Sequence, residues 1–241
     1  MERCRPAVHC QRPGLTLRST GRATACVARA SFHSGPAAAR CRTPVSFTLG
    51  IMSATATVDP LIAARLGFPK LRYVFVELER RWVCTALPRE LVRETVHISD
   101  LYVRGSNLRL REERSLSGQS PMLRISRKVD VDDSTRLISS IYLQEAEFAM
   151  LKSVLVGDSL SKRRNRLVAS EDVILAVDEF EGPLAGLMLL EAEFPSPDAM
   201  RNFRAPWYAG SEVTSAPQFT GGFLSSRGLP SHVLQQSSDD A

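Results

Sequence analysis

The stretch VFVELERRW, residues 74–82, changes side-chain character with a period of two. Glu77, Glu79 and Arg81 fall on one side, and Val76, Leu78 and Trp82 fall on the other. Successive side chains of an extended chain point to opposite faces, so this stretch reads as a strand with one charged and one apolar face. Two readings compete for the charged face. An antiparallel sheet often has one dry and one wet face, and wet faces carry charge. The other reading makes the face the floor of a site.

The same alternation recurs downstream. Candidate strands are 73–83, 97–103, 107–113, 122–128, 136–143, 161–167, 173–179 and 187–194, with turn chemistry such as RGSN at 104–107 and VDDS at 131–134 between them. Many short strands at regular spacing indicate a strand-dominated α+β chain built on a sandwich or barrel. Arg109 and Arg111 share a face opposite Leu108 and Leu110. Arg124, Ser126 and Lys128 stand together, as do Lys162, Arg164 and Arg166, and Glu191 aligns with Glu193 opposite Leu190, Ala192 and Phe194. Each strand repeats one sign at i and i+2. Like charges side by side repel, so stability alone does not favour such blocks.

If the sheet closes with the charged faces inward, the lumen holds an acidic wall and a basic wall. Such an interior is costly unless a ligand fills it. Carboxylates are ligands for hard cations such as Mg²⁺, and guanidinium and ammonium groups clamp phosphate oxygens. A metal-complexed polyphosphate suits both walls.

The apolar outer faces then need cover, and the sequence supplies helices. QEAEFAMLKSVLVG (144–157) places Phe148, Leu151, Val154 and Leu155 on one stripe, with Gly157 as a stop. SPDAMRNF (196–203) opens with Ser196 as N-cap and Pro197 at the first helical position. Residues 59–65 form a third short helix, and the tail from about Ser225 is expected to fray. Trp82 and Trp207 read as packing residues, Cys84 as a buried small apolar one, and Glu145 and Glu147 as acids at a helix start. His97 has no second histidine at ligand spacing.

Composition fits a single domain with flanks. The 241 residues carry a net charge of +5, but the excess is local. Residues 1–58 hold eight arginines, no lysine and the single acid Glu2, so the remainder is close to neutral. The hint of nucleic acid or membrane that a basic chain gives belongs only to this leader. Cys4, Cys10, Cys26 and Cys41 also lie there, in no zinc-binding spacing, and Cys84 alone lies beyond, which excludes a disulfide framework in the body. No apolar run approaches the roughly 20 residues that span a bilayer. The leader reads either as an organellar transit peptide or as sequence upstream of a true start at Met52. The expected organisation is therefore a disordered leader (1–58), a folded domain (70–225) and a flexible tail (226–241). The expected compartment is the cytoplasm, or an organelle if the leader is a transit peptide.

The motifs in their order resemble a known family. VELERRW (76–82) resembles the ExExK signature that opens the CYTH domain of the triphosphate tunnel metalloenzymes. LRLR (108–111) is similar to its paired-arginine strand and SKRRNRL (161–167) to its KxR strand. LAVDEFEGPLAGLMLLEAEFPS (175–196) resembles its Asp-containing strand and second ExE strand, and WYAGSEVTSAPQFTGGFLS (207–225) its closing segment. The resemblance implies a closed antiparallel eight-stranded barrel around a tunnel that binds triphosphate compounds. It implies that Glu77, Glu79, Glu191 and Glu193, with Asp178 among them, hold Mg²⁺ or Mn²⁺. It implies that Arg81, Arg109, Arg111, Lys128, Arg136, Lys162 and Arg164 grip phosphate oxygens, with Glu77, Glu79, Arg81, Glu191 and Glu193 forming the catalytic set. Two positions depart from the family: Arg81 stands where Lys is usual, and Ser211 stands where many members have Lys before Glu-Val-Thr.

Three functions follow as expectations. The first is hydrolysis of a triphosphate compound, inorganic triphosphate foremost. The second is cyclisation of ATP to cyclic AMP, which needs a base pocket that the sequence does not display. The third is a polyphosphate- or nucleotide-binding module without turnover. The expected ligand is a triphosphate or nucleoside triphosphate; neither a membrane nor a nucleic acid is an expected partner, and a homodimer stays open.

Overall fold

The structure is a computed structural model, described here for residues 58–168 and 172–230. The leader, apart from Val58, and the tail from residue 231 lie outside the described residues.

Eight strands occur where period-two alternation places them: β1 (Phe75–Cys84), β2 (Val92–Val103), β3 (Leu108–Ser115), β4 (Met122–Asp130), β5 (Thr135–Tyr142), β6 (Gly157–Leu167), β7 (Ile174–Phe180) and β8 (Met188–Phe194). They run in the order β5-β4-β3-β2-β6-β7-β8-β1, and β1 pairs back onto β5, so the antiparallel sheet closes into a barrel. Closure removes the exposed edges that an open sheet would leave. A ninth short strand, β9 (Ala209–Glu212), adds to the far end of β1.

Register decides what faces inward, because residues directly across a ladder share a face. Glu77 lies opposite Arg136, Glu79 opposite Glu193, and Arg81 opposite Glu191. Asp100 lies opposite Arg111, and Arg164 opposite Asp178. The charged faces thus turn inward on both sides of β1, and the wet-face reading is excluded.

Four helices pack on the barrel, each over its own apolar cluster, three on outer faces and the last on residues that continue the inward faces. α1 (Pro60–Arg65) is capped by Asp59, which accepts from the Leu61 N–H at 2.7 Å, and it packs Ala63 with Phe68 and Leu137. α2 (Glu145–Val154) opens on a capping box, the Glu147 carboxylate accepting from the Gln144 N–H at 2.7 Å, and seats Phe148 on Leu110 and Leu123. α3 (Pro197–Asn202) begins at the Ser196 cap and lies over Leu78, Trp82 and Phe194; the Phe203 ring meets Phe194 edge-on at 5.1 Å. α4 (Gly221–Arg227) packs Leu224, with Phe219, on Leu160, Phe180, Leu187 and Leu189.

Several sequence expectations are corrected. α2 ends at Val154 rather than at residue 157, and Val154 is 64% exposed instead of joining the stripe. Gly157 is no helix stop: it starts β6 against β2, where a Cβ would stand 2.1 Å from the Tyr102 carbonyl oxygen. β2 and β6 both begin earlier than their alternation suggested. The chain does not fray at Ser225, since α4 runs to Arg227 and Leu229 packs against the same cluster. Trp82 is buried in the core as expected, but Trp207 is 72% exposed, with its ring edge-on to Tyr208. Cys84 is buried and unbridged, and His97 pairs with Glu181 at 3.0 Å on the outer face. No helix among the described residues is long and apolar enough to cross a membrane.

Candidate functional site

The barrel encloses a cavity of about 500 Å³. Its acidic side is built by two neighbouring strands. Glu77 and Glu79 stand two apart on β1, and Glu191 and Glu193 two apart on β8, with Glu79 and Glu193 directly across the ladder. Four carboxylates so gathered repel one another. Burial, with Glu77 and Glu79 nearby, pushes Glu193 up to about 7. Glu79 is also raised, by burial first and then by Glu191 and Glu77, although Lys128 works against the rise. Against the burial that would raise it, Lys128 and Arg136 hold Glu77 below the usual carboxylate range. Against the same burial, Arg164 and Lys162 hold Glu191 well below it.

The cations come from the other strands. Lys128 on β4 places its ammonium 2.5 Å from Glu77 Oε2 and 3.5 Å from Glu79 Oε2. Arg136 on β5 lies 3.2 Å from Glu79 Oε1 and donates through Nε to Asp130 at 2.8 Å. On β6, Lys162 is bonded to Asp178, and Arg164 grips both Asp178 oxygens at 2.7 Å and also reaches Glu191. On β3, Arg111 makes a two-pronged pair with Asp100, both contacts at 2.7 Å, while Arg109 lies 3.8 Å from the same carboxylate. Arg111 and Arg109 overcome the burial of Asp100 and hold it well below the carboxylate range. Arg124 on β4 is lowered from the usual arginine value by burial and then by Arg111 and Arg109. A guanidinium crowded by two others is a place that favours an anion.

Of the twelve residues drawn from the sequence, eleven line this cavity: Glu77, Glu79, Arg81, Arg109, Arg111, Lys128, Arg136, Lys162, Arg164, Glu191 and Glu193. Asp178 does not. It is completely buried, with its carboxylate engaged by Lys162 and Arg164, so it seats those two bases. Arg166 shares the alternation of Lys162 and Arg164 but turns to Glu94 and Glu113. Sequence reasoning placed Arg124 on the inward face without assigning it a role, and it missed Asp100 and Asp130 altogether.

The donor set suits a hard divalent cation. Four carboxylates from two neighbouring strands line the same cavity, and Glu193 has no cation within ion-pair distance among the described residues. Carboxylate oxygens are the ligands that Mg²⁺ and Mn²⁺ prefer. Among the described residues no three acidic, histidine or cysteine side chains are already drawn together as a metal cluster. Glu77, Glu79 and Glu191 are instead held by Lys128, Arg136 and Arg164.

The two ExE strands are therefore neighbours in a closed barrel, and the paired-arginine and KxR strands face into the same lumen. This is the closed barrel that the order of the motifs implied. No family model matches the sequence, and no curated protein matches it. Solved structures do show similarity to this chain. The inorganic triphosphatase NE1496 is 23% identical, covering 62% of this chain and 93% of its own, with a TM-score of 0.44. HpAC1 from Hippeastrum, named as an adenylyl cyclase with a dominant triphosphatase activity, is 11% identical, covering 52% and 82%, with a TM-score of 0.39. The PH1819 protein from Pyrococcus horikoshii is 22% identical, covering 49% and 77%, with a TM-score of 0.38.

Proposed function

We propose that this protein hydrolyses a triphosphate compound, inorganic triphosphate foremost, inside the barrel with Mg²⁺ or Mn²⁺. One observation carries the reading: eight bases against five acids line a single enclosed cavity of about 500 Å³, with the acids concentrated on β1 and β8. Bases still outnumber acids by one when the buried counter-ions Asp100 and Asp178 are added, which favours an anion, and the acidic patch calls for a cation bound beside it. The volume suits a short phosphate chain with its metal.

Glu77, Glu79, Glu191 and Glu193 would hold the divalent ion, which when bound supplies Lewis-acid polarisation of phosphate oxygens. Arg109, Arg111, Arg124, Lys128, Arg136, Lys162 and Arg164 would hold the phosphate oxygens and stabilise charge on the transferred phosphoryl group. Asp100 and Asp178 fix Arg111, Lys162 and Arg164 in place before any ligand arrives, so little reorganisation remains to be made. Water is the nucleophile, oriented or deprotonated by one of the glutamates. Glu193 is the glutamate with no cation within ion-pair distance among the described residues, which leaves its carboxylate available to a metal or a water.

The test is phosphate release from tripolyphosphate and cyclic AMP formation from ATP, each with Mg²⁺ or Mn²⁺. Phosphate release that chelator abolishes supports the proposal. Cyclic AMP as the main product, or binding of tripolyphosphate without turnover, overturns it in favour of a cyclase or a binding module.

A further inference from the structure

The segment after β9 packs on one end of the barrel, where Phe219, Thr220, Gly221 and Gly222 line the cavity. The inward face turns apolar there. Leu160 and Phe180 continue the faces that carry Lys162 and Asp178, and Leu189 continues that of Glu191. Phe219 and Leu224 pack on these three residues. The segment is therefore held by apolar contact at its tip. At its root, one residue of the lumen wall hydrogen-bonds to it through both backbone and side chain.

That residue is Arg81. Its amide N–H donates to Thr214 Oγ1 at 3.0 Å, and its carbonyl accepts from the Val213 N–H at 2.8 Å. Its guanidinium donates through Nη1 to the Phe219 carbonyl at 2.8 Å and through Nη2 to the Thr214 carbonyl at 3.3 Å. The third nitrogen, Nε, lies 3.1 Å from Glu79 Oε1. The side chain is buried; its two terminal nitrogens donate to carbonyls, and Nε sits within ion-pair distance of Glu79 but makes no hydrogen bond. One carbonyl precedes the 3₁₀ turn Pro217–Phe219 and the other belongs to its last residue, so the guanidinium closes a loop across that turn.

We propose that Arg81 is a positioning residue that fastens the closing segment, residues 213–227, to the lumen wall and fixes the Glu79 carboxylate beside it, and that it is not an anion ligand. The fork of a guanidinium is what the geometry requires. An ammonium presents its donors from one point and cannot serve two separated carbonyls and a carboxylate at once. A buried carbonyl that loses its donor bears its full desolvation penalty, so the segment should open more often without the fork.

Hydrogen exchange read by mass spectrometry on the full chain tests this, with wild type, Arg81→Lys, Arg81→Gln and Arg109→Gln compared. Both Arg81 variants should exchange residues 213–227 about tenfold faster or more, the size expected when charge-assisted hydrogen bonds are lost. Arg109→Gln should leave that segment at the wild-type rate. Tripolyphosphate binding by calorimetry is the second arm. Arg81→Lys should not rescue what Arg81→Gln loses, because retained charge does not restore the fork. Wild-type exchange of the segment in Arg81→Lys overturns the proposal. So does a rise spread evenly over β2, β3 and β4. So does full affinity in Arg81→Lys beside lost affinity in Arg81→Gln, which is the pattern of a direct phosphate ligand. If wild-type protein does not bind tripolyphosphate, the proposed function fails, and the exchange arm still decides the role of Arg81.

Discussion

Glu79 and Glu193 stand directly across the β1–β8 ladder from each other, both facing the lumen. Like charges opposite one another destabilise a sheet, so this pairing costs stability that a cation between the strands would recover. The cost has a pH signature. Glu193 moves from an ordinary 4.5 to about 7 in the fold, so between those values the folded state binds more protons than the unfolded state. Stability must then fall as pH rises through that window, and Glu79, raised by burial and its neighbours, acts in the same direction. We predict that in chelator the Tm of the wild-type protein declines from about pH 5 to about pH 8. The Glu193→Gln variant should show a flatter profile. Equal slopes for the two proteins would remove Glu193 from the account.

Glu77 is held ionised between Lys128 and Arg136 and is one of the proposed oxygen ligands. Glu77→Gln keeps the shape and removes the charge. We expect metal-dependent phosphate release from tripolyphosphate to fall by about a hundredfold or more, the scale on which electrostatic catalytic groups act. Circular dichroism should be unchanged. Wild-type turnover in this variant would refute the site.

Arg124 lies 3.6 Å from Glu113, donates to Met122 Sδ at 3.3 Å and is crowded by Arg109 and Arg111, so it is expected to contribute little to folding and is proposed to bind an anion. Arg124→Gln should weaken tripolyphosphate binding by about tenfold, as expected for a lost charge-assisted hydrogen bond. The melting temperature should hold or rise. A fall in stability with unchanged binding would make Arg124 a structural residue.

How much of this was legible before folding depends on the geometry of each residue. Glu77, Glu79, Glu191 and Glu193 could be placed on shared faces because a strand has a fixed period of two, whatever its neighbours do. Whether those faces were wet or enclosed depended on β1 closing onto β5, a contact between residues about sixty positions apart that no local pattern encodes. Asp100 escaped notice because it is a lone acid between Ile98 and Tyr102, with no charge repeated at i+2. Asp178 could be assigned to the inward face but not to its depth, which Lys162 and Arg164 set by folding over it. β9 and α4 gave no signal, since AGSE has no alternation and GGFLSSR begins with two poor helix formers.

Gly157 shows how one residue type misleads. A glycine after a helix reads as a stop, yet here it lets β6 approach β2. The obstacle is backbone, the Tyr102 carbonyl at 2.1 Å from a Cβ, and it cannot swing aside. Gly157→Ala should cost about 1–3 kcal/mol in urea unfolding, the range for overpacking. A stable variant would mean that the β2–β6 ladder can open locally.

Asp178 separates a buried counter-ion from a metal ligand. It is wholly inaccessible and carries both Lys162 and Arg164, so its loss strands two cations in a dry place. Removing one partner of a buried ionic cluster costs about 3–5 kcal/mol. Asp178→Asn should therefore lower stability by an amount of that order in the presence of chelator, where no metal can contribute. A ligand whose only role is to bind metal behaves in the opposite way, because its removal relieves repulsion and stabilises the metal-free protein. Urea unfolding of Asp178→Asn in chelator, set beside Glu193→Gln, tells the two apart: the first variant should be less stable than wild type at pH 8 and the second more stable.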